Sequence, residues 1–497
     1  MDLNVETRKL LEEIGPGRMS STAYDTAWVA RLVDYDRELS NNALSWLCEN
    51  QLPDGSWGAA EPFYYHDRVI STLAAMIALT HRGRRAQDRV QIDKGLLALE
   101  RITSGATSGL AADPNGATVG FEMIVPTLVA EAERLGIVKQ QGDRILGRLR
   151  RLRDAKMAKL QGLKINRYIT PAFSAEMAGE DGQSILDIDN LQENDGSVAH
   201  SPSATAYFAL KLKPGDPKAM EYLRAWAAHD GGAPNYAPID NFEIAWSLWN
   251  LYFANSPDNS NPEIKRLLDT LQGSWHTGTG IGTAVDCTVK DSDDSSVAFE
   301  VLCSFGYAPD VEAILSYEED NHYRCFSLEA NPSISANIHV LGALKKAGFV
   351  GSDKSIKKIL KFLHQTRTNE TYWYDKWHTS PFYATTHAII ASVSFDKNLC
   401  SNAVQWILEN QRADGSWGHF SQATAEETAY CLQALLTWEQ SYGKVPRTKL
   451  ELGARWLTEH FDDSYHPLWI GKALYTPYLV VKSAILGALD LTNKVTQ

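Results

Sequence analysis

The sequence predicts an all-α protein built from two related helical barrels, and three observations carry that expectation. Apolar residues recur at three- and four-residue spacing through nearly every segment, as in Leu44, Leu47 and Cys48 or in Ile389, Ile390 and Val393, the period of a helix with one buried face. Few runs alternate with period two, so no sizeable sheet is expected. The third observation is an internal repeat: residues 46–58 (WLCENQLPDGSWG) and 406–418 (WILENQRADGSWG) agree at nine of thirteen positions. The copies lie near opposite ends of the chain, which two homologous barrels explain better than one continuous solenoid.

Taken in order, the N-terminal stretch MDLNVETRKLLEEIGPG is charged and amphipathic where a signal peptide would be apolar. Turn chemistry then punctuates helices of about 10–20 residues at Pro53-Asp54-Gly55, Asp195-Gly196 and Ala413-Asp414-Gly415. A weaker third copy of the repeat, LQENDGSVAHSP, starts at Leu191. In each copy a Gln precedes an Asp-Gly turn, and in the two clean copies a Trp can stack on that Gln, so the repeats read as structural staples between helices. Candidate linkers are the short charged stretch 33–37 and the turn-rich stretch 253–262.

The 497 residues allow two or three domains, and the 44% apolar and 22% charged content excludes wholesale disorder. With Lys+Arg 48 against Asp+Glu 61, the net charge of −13 argues against a nucleic-acid binder. No apolar run is long enough to span a bilayer. Six cysteines (Cys48, Cys287, Cys303, Cys325, Cys400, Cys431) are scattered without C-x-x-C pairing, as expected of reduced, buried thiols in a cytoplasmic protein without stable membrane insertion. There is no P-loop, and Gly278-Thr279-Gly280-Ile281-Gly282 has the wrong spacing for a dinucleotide turn.

The densest acidic cluster is Asp291-Ser292-Asp293-Asp294, ahead of the helical run SSVAFEVLCSFG. Three carboxylates at a helix start can be caps and dipole partners. A calcium loop does not fit, since Ser296 stands at the sixth position and no Glu at the twelfth. Carboxyl groups packed this closely cannot all ionise, so one is held protonated. In an apolar cavity lined by aromatic rings, such an acid can protonate an alkene and the ring faces can stabilise the resulting cation. Two further readings stay open on residues alone: a barrel glycosidase pairing Asp293 with Glu426 or Glu427, and a helical scaffold in which the cluster is only a cap.

Nine ordered blocks resemble those of class II diterpene cyclases, within them the bacterial two-domain enzymes that make halimadienyl (tuberculosinyl) and kolavenyl diphosphates. They are STAYDTAWVARL (21–32), QLPDGSWG (51–58), VGFEMIVPTLVAEAERLG (119–136), SPSATAYFAL (201–210), GGAPNYAPIDNFEIAWSL (231–248), DSDD (291–294), NIHVLGAL (337–344), DKWHTSPFYATTHA (375–388) and ATAEETAYCLQAL (423–435). The resemblance implies a β domain of residues 1–37 plus 258–497 and an inserted γ domain of residues 38–257, with the active site between them. It makes Asp293 the general acid, tuned by Asp291 and Asp294 and oriented by a hydrogen bond from Asn337. It implies bicyclisation of geranylgeranyl diphosphate with the diphosphate retained, consistent with the missing DDxxD motif, since Asp462-Asp463 is followed by Ser464. Lys164, Arg167 and Lys376 become diphosphate ligands by position, and Mg2+ is the expected cofactor, with Asp113 and Glu122 its candidate ligands.

In relatives that make ent-copalyl diphosphate, a His in an HSLE-like stretch and the Asn of PNV remove the last proton through a water. Here the first stretch reads Phe173-Ser174-Ala175-Glu176, while Pro234-Asn235-Tyr236 keeps the Asn. The resemblance therefore implies a longer-lived cation, hydride and methyl shifts, and a rearranged product, kolavenyl (clerodane) ahead of halimadienyl. Phe173 is expected to stabilise the migrating cation, with Trp377, His378 and Tyr383 as further pocket residues. A downstream terpene synthase or phosphatase would remove the diphosphate. A triterpene cyclase is disfavoured by the absence of additional clean DGSWG-type repeats.

Overall fold

The computed structural model describes every residue except 105–108, 110, 140–144, 161, 255–259, 330, 444 and 497. Helices dominate it. Apart from isolated bridges, strand is confined among the described residues to two short ladders, Ser21–Thr22 with Ala233–Pro234 and Trp469–Ile470 with Leu474–Tyr475. The helix starts follow from sequence. Asp2, Thr22, Asp36, Ser201, Asp216, Asn261, Asp291, Ser333, Ser380, Asp396 and Thr424 each accept a backbone N–H at an N-cap, which satisfies donors the helix cannot.

Six helices close a ring in which each packs on the next: Asp240–Tyr252, Ser292–Ser304, Ile334–Lys346, Pro381–Ser392, Ala425–Tyr442 and Tyr478–Thr496, the last returning to the first. Inner members such as Pro381–Ser392 are buried on every face. Outer members are amphipathic: Lys354–Thr366 buries Ile356, Ile359, Phe362 and Leu363 and turns Lys354, Lys357 and Lys361 to water. A second, smaller ring is closed by Ala23–Val29, Tyr65–Arg82, Phe121–Arg134, the 3-10 segment Thr170–Asp181 and Pro202–Tyr207. The fold is a double α/α-barrel.

Each ring encloses its own hydrophobic core, and the cores divide the chain elsewhere than at 37 and 257. The larger core draws on residues 10–19 and 239–491, the smaller on 23–233 plus Ala473. The charged stretch 33–37 is a loop inside the smaller barrel that ends in the first residue of helix Arg37–Glu49, because the fully buried helix Ala23–Val29 belongs there through Tyr24, Ala27 and Trp28. Helix Asp240–Tyr252 belongs to the larger barrel through Trp246 and Leu248. The chain crosses between barrels where Ile239 N–H donates to Gly17 O at 3.0 Å. Of the candidate linker 253–262, residues 255–259 lie outside the described residues.

The three repeats are the staples expected, with a different grip. Gln51, Gln192 and Gln411 each donate through Nε2 to the carbonyl of the turn glycine, Gly55, Gly196 or Gly415, at 2.8–2.9 Å. Trp57 and Trp417 lie in the cores and donate to Leu47 O and Ile407 O, both at 2.8 Å. The glycines hold φ of 92–96°, and a Cβ on any of them would come within 2.6 Å of the next outer helix's backbone, so no other residue fits.

One hairpin joins the barrels. Leu474 N–H donates to Asp67 Oδ1 at 3.1 Å, Val119 N–H to Gly471 O at 2.7 Å and Ile470 N–H to Trp377 O at 2.8 Å. No helix among the described residues is long and apolar enough to cross a membrane.

Candidate active site

Between the barrels lies a cavity of about 640 Å3, walled by the larger barrel at Asp291, Asp293, Asp294, Phe242, Trp246 and Trp469 and by the smaller at Phe173, Met177, Glu193 and the loop 115–120. The acidic cluster is set by its helix. Asp291 is the N-cap of Ser292–Ser304 and accepts Asp294 N–H at 2.7 Å, while Thr283 Oγ1 donates to Asp294 Oδ2 at 2.8 Å. Burial, with Asp294 beside it, pushes the Asp291 carboxyl well above the usual range, and burial raises Asp294 against the hydrogen bonds it receives.

Asp293 turns the other way. Its Oδ1 meets His339 Nδ1 at 2.5 Å, and His339 Nε2 meets His387 Nδ1 at 2.9 Å. Burial disfavours the charged imidazole of His339, but the Asp293 carboxylate outweighs it and raises the group, whereas His387 is driven well below the ordinary range by burial and by His339. A charged His339 donating to Asp293 and to a neutral His387 satisfies the acid and His339, and leaves His387 Nε2 buried without a hydrogen-bond partner. Around this chain stand Trp246, edge-on to His339 at 5.5 Å, and Phe242, 4.4 Å from Trp246 and 5.3 Å from Trp469. A buried acid against electron-rich ring faces suits proton transfer to a weak base and stabilisation of the cation formed.

The opposite wall holds Phe173 and Tyr236, ring centroids 5.5 Å apart. Behind Phe173, 4.4 Å from its centroid, lies the ammonium of Lys472, fully buried and bonded at 2.7 Å to each of Glu176, Ser201 and Ser203. Asn235 is spent: Nδ2 donates to Asp25 at 2.8 Å and Oδ1 accepts Lys472 N–H at 3.1 Å. Tyr236 OH meets Cys287 Sγ at 3.4 Å, and burial pushes that thiol up to about 12, so it is no nucleophile. At the mouth, Lys156, Lys159 and Lys376 line the cavity, Lys156 paired with Glu122 and Lys376 with Glu329.

Comparison with known proteins accords with this geometry. Residues 327–460 match the squalene-hopene cyclase C-terminal domain. The chain is 50% identical over 498 residues to a type B diterpene cyclase of Mycobacterium tuberculosis, covering 99% of both chains. It belongs to the class II diterpene cyclases. The ent-copalyl diphosphate synthase from Streptomyces platensis superposes with a TM-score of 0.81 at 27% identity, covering 99% of each chain. The Arabidopsis thaliana ent-copalyl diphosphate synthase, solved with an aza-geranylgeranyl thiolodiphosphate, gives 0.67 at 25% identity over 99% of this chain and 63% of that one.

For the cyclase, several expected roles move. Asn337 does not touch Asp293: it accepts Tyr323 N–H and donates to Tyr323 O and Ser333 O at 2.7–2.8 Å. Two residues along a helix is a turn of about 200°, so Asn337 faces away and His339, absent from the expectation, meets the acid. Asp113 is no open metal ligand, because its oxygens take Tyr65 N–H, His66 N–H and His66 Nδ1 at the start of Tyr65–Arg82. Lys164 is exposed and Arg167 is bonded to Gln192 O at 3.1 Å; neither lines the cavity, where Lys156 and Lys159 stand instead. His378 and Tyr383 are buried behind the wall, His378 between Ser380 and Glu426 and Tyr383 accepting Trp246 Nε1 at 3.3 Å, while Trp377 does reach the cavity. Glu426 holds Trp469 and Glu427 holds Ser380, so neither serves as a cavity base. Among the described residues no group of three or more His, Cys, Asp or Glu is arranged for a metal.

Proposed function

We propose that this cyclase protonates the terminal double bond of geranylgeranyl diphosphate and closes it to a decalin with the diphosphate retained. The observation that carries the reading is the Asp293–His339 pair, 2.5 Å apart, opening on an aromatic cavity. The relatives named for ent-copalyl diphosphate synthesis, one of them solved with a geranylgeranyl analogue, support the substrate. Asp293 carries its acidic proton on the oxygen turned away from His339, whose Nδ1–H donates to Oδ1. The alkene π pair takes that proton, the adjacent carbon becomes a cation, and the next two double bonds capture it in turn. The carboxylate left behind keeps its hydrogen bond from the charged His339, which now joins two opposite charges.

The far wall supports rearrangement before deprotonation. Phe173 has no base, and both amide atoms of Asn235 are already bonded, so neither of these two residues activates a water. Hydride and methyl shifts then carry the charge onward, and loss of a proton to water from a carbon next to the final cation leaves the double bond of kolavenyl diphosphate, with halimadienyl diphosphate the alternative that loses its proton after fewer shifts. Of the two expected ligands of Mg2+ only Glu122 lines the cavity, and it is paired with Lys156, so Glu122 would hold the ion beside the substrate phosphates only by releasing that lysine; the ion would supply charge compensation to the diphosphate. Lys156, Lys159 and Lys376 add point-charge donors. The six unpaired cysteines support a reducing, cytoplasmic setting. The retained allylic diphosphate calls for a later terpene synthase or phosphatase.

The test is mass spectrometry of dephosphorylated products after incubation with geranylgeranyl diphosphate and Mg2+, with Asp293→Asn as control. A rearranged bicyclic alcohol from wild type alone is expected. Copalol would overturn the product reading, and unchanged geranylgeraniol from both proteins would overturn the substrate.

A further inference from the structure

The cyclase carries a net charge of −13, yet one stretch reverses it. Between residues 148 and 167 stand Arg148, Arg150, Arg151, Arg153, Lys156, Lys159, Lys164 and Arg167 against the single acid Asp154, a local charge of +7 in twenty residues. The stretch contains helix Leu149–Ala158, which packs on Phe121–Arg134 through its inner face and leaves Arg148, Arg150, Arg151 and Lys159 exposed. Among the described residues, those four side chains have no hydrogen bond or ion pair, in contrast to Arg153, which holds Thr127 and Met177 O. Large apolar side chains stand exposed within the same stretch, Leu152 at 39% and Leu163 at 53%, and directly after it, Tyr168 at 57%. Arg148, Leu152 and Lys159 follow one another at helical spacing on one outer stripe. The same segment also forms the cavity mouth, where Lys156, Met157, Lys159 and Leu160 line the opening.

We propose that the segment 148–168 docks the cyclase on an anionic lipid surface and sets the cavity mouth against it. Cations interleaved with exposed apolar side chains fit the boundary between headgroups and acyl chains, where the charges meet anionic lipid and the apolar groups enter the interface. A nucleic acid would gain nothing from the leucines, and a polyanion extending past the helix would meet the acidic remainder of the surface. The purpose of the docking rests on the substrate reading: a long prenyl diphosphate is itself an amphiphile that partitions into bilayers, and docking at the mouth shortens its path to Asp293. The binding itself requires no substrate, so the two readings fail separately.

The experiment is cosedimentation of the full-length protein, without substrate, with vesicles of phosphatidylcholine alone or with about 30% phosphatidylglycerol, in about 0.05 M and about 0.5 M salt. Wild type is expected to bind the anionic vesicles at least about tenfold better than the neutral ones and to be released by salt. Arg148→Glu/Arg150→Glu/Arg151→Glu should abolish binding, Leu152→Ser/Leu163→Ser should weaken it several-fold, and Lys354→Glu/Lys357→Glu on an outer helix of the other barrel should leave it unchanged. Circular dichroism melts establish that each variant is folded, and the triple variant should keep its turnover of detergent-dispersed substrate. Equal binding to both vesicles, no binding at low salt, or wild-type binding by the triple variant would overturn the proposal. So would loss of binding in the Lys354/Lys357 variant, which would make the effect one of net charge.

Discussion

Replacing His339 by Phe separates the acid from its partner with little change of shape, since the ring sits among aromatic neighbours, 5.5 Å from Trp246 and 6.4 Å from Tyr383. The loss is one hydrogen bond of 2.5 Å between a buried imidazole and a partly buried carboxyl, and a hydrogen bond to a charged partner is worth about 1.5–3 kcal/mol. If that bond stabilises the carboxylate formed as Asp293 gives up its proton, turnover falls roughly 10–150-fold at unchanged KM. The variant also strips His387 Nδ1 of its buried partner, at a cost of about 1–3 kcal/mol in folding. His339→Phe/His387→Phe removes both ends of that second bond and should recover the stability without recovering the turnover. The assay is steady-state conversion of geranylgeranyl diphosphate beside thermal melts of the three proteins. In wild type, the raised His339 moves the loss of rate with rising pH above the ordinary histidine range, and the Phe variant should lack that limb. Turnover within about threefold of wild type, or turnover restored along with stability in the double variant, would refute the role given to His339.

Asn337→Ala should cost about 2 kcal/mol in urea unfolding by freeing the Tyr323 loop, while turnover per folded molecule falls far less than in the His339 variant. Phe173→His restores a base-forming group to the far wall and should shift the dephosphorylated products, read by mass spectrometry, towards the unrearranged skeleton. Glu131 is drawn down to about 2, burial being outweighed by His81 at 3.0 Å and Arg31 at 2.6 Å. Its stabilisation is therefore present above the unfolded value near 4.5 and is lost as pH falls towards about 2. Glu131→Gln should cost about 2 kcal/mol at neutral pH and almost nothing at the acid end of that window, by denaturant melts across pH. Lys472→Met leaves Glu176 charged and buried and should destabilise by about 3–5 kcal/mol, most of it recovered in Lys472→Met/Glu176→Gln by the same melts.

What sequence made legible follows from range. The helical periods, the Asp-Gly turns with their glutamines, and the acidic cluster at a helix start are local patterns, and each stands where its pattern puts it. The acid's partner was hidden because Asn337 and His339 lie in the same short block, and choosing between them requires knowing which face of Ile334–Lys346 meets Ser292–Ser304. Asp113 is a metal candidate only through the resemblance, and its oxygens are consumed by His66 and two backbone donors 47 and 48 residues away in sequence. The division of the chain was misplaced for the same reason. Charged and Pro-rich stretches mark loops, while the crossing at residues 17–23 and 233–239 is marked only by which core Tyr24 and Trp246 enter.

Lys472 shows the limit most clearly and changes the chemistry read from the far wall. Between Gly471 and Ala473 in a tight hairpin it has the sequence of a solvated turn, yet the hairpin carries it from the larger barrel into the smaller one, where it is fully buried. Its ammonium already lies 4.4 Å from the centroid of the Phe173 ring. A ring whose electron density is engaged by a fixed positive charge has less to offer a second cation, and the ammonium repels that cation across a medium of low effective dielectric. Glu176 tempers the repulsion without removing it, since its carboxylate is bonded to Lys472, Tyr24 and Ser203. Phe173 is therefore better understood as an inert wall backed by positive charge than as a stabiliser of the migrating cation. The carboxylate that Asp293 becomes on giving up its proton belongs to the other wall, so the field across the cavity draws positive charge away from Phe173, in the sense that favours shifts over early proton loss.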